Sequence, residues 1–80
     1  MTEYYLLTII CSDRAGLISD ITAELFDLGI NLGDTNFAVL GEGAEFSAVL
    51  ESPENLSEAE ILQQVKNIES LQQAEIQMLV

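Results

Sequence analysis

The chain has 80 residues, enough for one domain and no more, and that domain is expected to span residues 1–80. Two basic residues, Arg14 and Lys66, stand against fourteen acidic ones, for a net charge of −12. Phosphate backbones and anionic headgroups are held by clusters of Lys and Arg, so direct contact with nucleic acid or a membrane surface is excluded.

Cys11 is the single cysteine, which rules out an intrachain disulfide. The opening Met-Thr-Glu-Tyr-Tyr has no basic signal-peptide region, and no apolar run approaches the ~20 residues that span a bilayer. A reducing cytoplasm is the expected setting. Hydrophobic residues make up 49% of the chain, although a body this small buries only about 60% of its unfolded surface. Part of that apolar surface is expected to lie in an interface with another copy or a partner protein.

Tyr4 to Cys11 is a run of aromatic and β-branched residues and predicts a strand that is apolar on both faces, hence central. Ser12-Asp13-Arg14-Ala15-Gly16 predicts a polar turn. Leu17, Ile18, Ile21, Leu25, Phe26 and Leu28 recur at helical spacing, and Gly29 supplies the stop. Ile30 to Leu40 predicts a second strand, joined by Gly41-Glu42-Gly43 to a third over Ala44 to Glu51. There Phe46, Ala48 and Leu50 alternate with Glu45, Ser47, Val49 and Glu51.

Ser52-Pro53-Glu54-Asn55 breaks the chain, and Ser57 with Glu60 predicts a capping box opening a second helix. Its stripe is Ile61, Leu62, Val65 and Ile68. Gln73 to Val80 alternates as a fourth strand. The expected fold is α+β, a ferredoxin-like βαββαβ sandwich. Right-handed crossovers place both helices on one face of a four-stranded antiparallel sheet of order 4-1-3-2.

The residue types speak against catalysis. There is no His to act as a base near neutral pH, and for the base that a nucleophilic Cys or Ser needs only Lys66 remains, on a helix of ordinary amphipathic pattern. At the end of an apolar strand, Cys11 reads as a small buried side chain. Other tenants of the fold can be tested one by one. A soft-metal chaperone needs a Cys-x-x-Cys pair, an acylphosphatase a phosphate-cradling Arg loop, and an RNA-binding sheet basic residues around its aromatics. None is present. Neither a metal nor a cofactor is expected. What remains is the first turn, where the amides of Gly16, Leu17 and Ile18 open a helix and suit an anion. The plainer reading makes Asp13 an ordinary helix cap.

The run from Leu7 to Leu25, with Asp13-Arg14-Ala15-Gly16-Leu17-Ile18 at its centre, resembles the opening of an ACT domain. That family reads Asp-Arg-Pro-Gly-Leu-Leu, helix, Gly-Ile-Asn-Ile; here the second part is Gly29-Ile30-Asn31-Leu32, and Ala15 stands for the Pro. The resemblance covers nearly the whole chain. Phe37-Ala38-Val39-Leu40 is similar to the middle strands of glycine-cleavage-regulator-like ACT proteins. It implies a non-catalytic, allosteric regulatory domain that pairs as a homodimer and binds an amino acid at the interface. By the same resemblance, side-chain contacts fall on Cys11, Asp13 and Asn31. Gly16, Leu17 and Ile18 supply backbone contacts, and Arg14 belongs to the same turn. The alternative is a pure protein–protein interaction module with no small ligand.

Overall fold

A computed structural model describes residues 2–79. The elements run β1 (Thr2–Ser12), α1 (Leu17–Asp27), β2 (Asn31–Leu40), β3 (Gly43–Pro53), α2 (Glu58–Val65) and β4 (Leu71–Leu79). They form one antiparallel sheet of order β2-β3-β1-β4, the expected topology read from its other edge.

Strand β1 is central because it can be apolar on both sides. Its odd residues Tyr5, Leu7, Ile9 and Cys11 are buried, while Leu6, Thr8 and Ile10 on the other face are only half covered. Register carries that division across the sheet. Ile9 faces Phe46 of β3, which faces Phe37 of β2, and Ile9 faces Ala74 of β4 on its other side. Leu17, Ile21 and Leu25 of α1 and Ile61 and Val65 of α2 close the core over this side. The stripe of α1 is narrower than its sequence suggests. Ile18 and Phe26 are 46% and 59% exposed.

Helix ends follow backbone chemistry. At the end of α1, Gly29 takes φ +77° and its amide donates to the carbonyl of Phe26, while the amide of Ile30 donates to that of Leu25. This pair of bonds is a Schellman motif, and Leu25 and Ile30 are both buried beneath it. At α2 the Ser57 hydroxyl accepts from the amide of Glu60 at 3.2 Å, the expected cap. Strands β1 and β4 each start two residues earlier than expected, at Thr2 and Leu71; Val80, included in the expected fourth strand, lies outside the described residues.

Two consequences can be measured. Ile9 has no exposed surface. Ile9→Val should cost about 0.5–1.5 kcal/mol and Ile9→Ala about 2–5 kcal/mol in urea unfolding, because a cavity stays behind. Cys11 is equally sealed and burial pushes its thiol pKa up, so the native protein should resist a thiol reagent at pH 8 and react on unfolding. Rapid labelling of folded protein would contradict this packing.

Candidate functional site

The sequence places most of its candidate residues in the first turn, with Cys11 at the end of the first strand and Asn31 at the start of the second. The structure gathers the turn residues together. A hollow of about 230 Å³ between β1 and α1 is lined by Asp13, Arg14, Gly16, Leu17 and Ile18, together with Ser19 and Phe37. Phe37 reaches it through the Phe37–Phe46 register, a long-range pairing that a local reading of the turn does not contain. Ser19 follows from the first helical turn, where its position two residues beyond Leu17 was the available signal.

The turn is fixed from both sides. The Asp13 amide donates to the carbonyl of Glu42 at 3.0 Å, and the Ser12 amide to that of Ser70 at 3.4 Å. Gly16 is the residue before α1 and has φ +80°, a left-handed conformation that glycine alone adopts without strain. Space around it is open, for an added Cβ would meet nothing within 4 Å. An unusual backbone, rather than crowding, therefore requires glycine here.

This geometry corrects the reading of Asp13 as a helix cap. Gly16 occupies the cap position, and no side chain accepts a hydrogen bond there. Asp13 lies three residues upstream with an exposed side chain at the hollow. Of the opening amides, that of Leu17 is already donated to the carbonyl of Arg14 at 3.3 Å. Those of Gly16 and Ile18 have no such acceptor among the described residues.

Arg14 ties the turn together. Its Nη1 lies 2.7 Å from Asp20 Oδ2, and its Nη2 donates to the carbonyl of Glu69 at 3.5 Å. Its Nε is buried and finds no acceptor among the described residues, a loss that costs about 1–3 kcal/mol for a desolvated donor. The guanidinium is thus committed to the protein and incompletely satisfied by it.

Two candidates stand apart. The side chain of Cys11 points into the core and does not reach the hollow's surface. Asn31 is exposed at the opposite end of β2, where it faces Glu51, whereas the turn sits near the Leu40 end. Nine residue steps of strand separate those ends, about 30 Å. Within one chain Asn31 and the turn do not share a site.

The sequence matches the ACT domain family over residues 3–79. No curated protein matches it. Among solved structures, an ACT domain protein from Streptococcus pneumoniae superposes with a TM-score of 0.78 at 21% identity, covering 98% of this chain and 91% of that one. A protein from Galdieria sulphuraria gives 0.82 at 17% identity, over 100% of this chain and 46% of that one. A putative glycine cleavage system transcriptional repressor gives 0.77 at 14% identity, over 100% and 47%. The chain thus spans about half the length of these last two.

Gly16 sets the first test here. Gly16→Val should destabilise by about 1–2 kcal/mol through its left-handed φ, and Gly16→Asn by clearly less, since Asn tolerates that region. Equal losses in urea unfolding would mean that side-chain bulk, not backbone conformation, decides. Because Asp20 is more than half exposed, Asp20→Asn should cost only about 0.2–1 kcal/mol.

Proposed function

Because this chain belongs to the ACT domain family, we propose that it is a non-catalytic regulatory module holding an amino acid at the subunit interface of a homodimer. The observation that carries this reading is the hollow at the first turn, where five residues of the family's turn motif come together. Its volume suits a molecule of amino-acid size and falls short of the usual drug- or cofactor-sized pocket.

Charge decides how such a ligand is held. Arg14 is engaged by Asp20 and Glu69, so the ligand carboxylate falls to the amides of Gly16 and Ile18 at the start of α1. The Asp13 carboxylate then meets the ammonium group. A second copy supplies what one chain lacks. Pairing two β2 edges antiparallel carries Asn31 of each copy toward the turn of the other, and Asn can both donate and accept. Exposed Val39 and Leu40 on β2, and Ile18 and Phe26 on α1, are the apolar residues such an edge contact would cover.

Thermal denaturation against the standard amino acids tests the ligand. At 100 times its dissociation constant a bound amino acid adds about 2.7 kcal/mol, a shift of several degrees for a domain of this size. Asp13→Asn should then weaken binding by about 1–3 kcal/mol in calorimetric titration. If no amino acid moves the transition of a protein that is dimeric, the domain is an interaction module. In sedimentation, Val39→Glu with Leu40→Glu should convert the dimer to monomer at micromolar concentration. A dimer that survives the pair of substitutions is joined elsewhere.

A further inference from the structure

The helices cover one face of the sheet, and the other is open. Its centre is apolar: Tyr4, Leu6 and Ile10 of β1 and Val49 of β3, with Leu6 opposite Val49 in the register. Tyr4 is 47% exposed and Leu6, Ile10 and Val49 remain half covered. Around this strip the charged side chains all have one sign. Glu45 stands opposite Ile10, Glu51 opposite Tyr4, and Glu75 of β4 opposite Thr8. The two cations of the chain lie elsewhere: Arg14 in the first turn bound to Asp20, and Lys66 at the C-terminal cap of α2.

A second copy is a poor occupant of this face. Two such faces brought together would confront six carboxylates, three from each, with no cation between them in a partly desolvated layer. The complement of an apolar strip with an acidic rim is an apolar strip with a basic rim. We propose that the open sheet face docks a partner protein whose contact surface has an aliphatic centre and a lysine- or arginine-rich border. The β2 edge remains available for self-pairing while this face is occupied, and the docking surface stands whether or not the first turn holds an amino acid.

The test uses a synthetic amphipathic helical peptide of leucine and lysine as the probe, with its leucine–glutamate counterpart as control, titrated into the labelled protein and followed by NMR. The lysine peptide should shift the signals of Leu6, Thr8, Ile10 and Val49, and the glutamate peptide should not bind. The variant Glu45→Lys/Glu51→Lys/Glu75→Lys should lose affinity about ten-fold or more. A variant of identical net charge altered on the helical side, Asp27→Lys/Glu60→Lys/Glu69→Lys, should stay within about two-fold. Should the sheet variant fail to fold, Leu6→Lys gives the same reading, because it removes the apolar centre and leaves the carboxylates in place. Equal losses in the two charge variants would reduce the effect to net charge and overturn the proposal. So would the absence of peptide binding, or shifts confined to the helices. Sedimentation of Leu6→Lys separates the proposal from the dimer: loss of self-association there would make this face the self-interface and overturn it.

Discussion

Two helices can shield only one side of a four-stranded sheet, and β1 at its centre is apolar on both. Everything else in the molecule is arranged around that excess. The shielded side takes Tyr5, Leu7, Ile9 and Cys11, and register passes the same preference to Phe46 and Ala48 on one neighbour and to Ala74 and Ile76 on the other. The unshielded side keeps Leu6 and Ile10, which the rest of the fold leaves only half covered. At roughly 0.8 kcal/mol per buried methylene, such residues contribute more in an interface than in water.

Period-two patterns were legible because one face of each strand is buried, and a slip of one residue would turn every core side chain outward. The stop at Gly29 and the cap at Ser57 were legible for a different reason. Each is a local backbone requirement met by a residue within the same few positions. Asp13 shows where this logic fails. Asp is a favourable cap, but the cap position is fixed by where the backbone turns left-handed, and that happens at Gly16. Ile18 and Phe26 fit the helical spacing, yet the sheet takes only the narrower stripe of Leu17, Ile21 and Leu25, so both lie outside the core. Of the site, the turn residues were readable, whereas Phe37 depended on pairing across three strands and Arg14's contact with Glu69 spans 55 positions of sequence.

Asn31 is the most instructive separation. It shares the family motif with the turn, but α1 and the Gly29 turn return the chain to the Tyr4 end of the sheet, where Asn31 pairs with Glu51 and Glu51 with Tyr4. Residues close in a motif and distant in one fold acquire a common purpose most simply through symmetry. A two-fold axis across an antiparallel edge brings opposite ends of one strand together. The proposed site is therefore incomplete in a single chain, and ligand binding and self-association become linked equilibria: whatever fills the site favours the dimer, and whatever favours the dimer completes the site.

The net charge of −12 bears on which ligands such a site could accept. A fixed negative field opposes the approach of anions within a Debye length of about 8 Å at physiological ionic strength. Nucleotides and phosphorylated metabolites carry net negative charge to the surface and are disfavoured throughout the approach. A zwitterion carries none, so it meets the field only as a dipole, and orientation can turn its ammonium toward Asp13. In the site proposed for the turn its carboxylate would be met by backbone amides, whose dipoles act at short range where the distant carboxylates are screened. A domain this acidic is poorly matched to anionic effectors and better matched to neutral or zwitterionic ones. The scarcity of cations, which in the sequence speaks against contact with phosphate backbones, thus also narrows the chemistry of the ligand proposed for the turn.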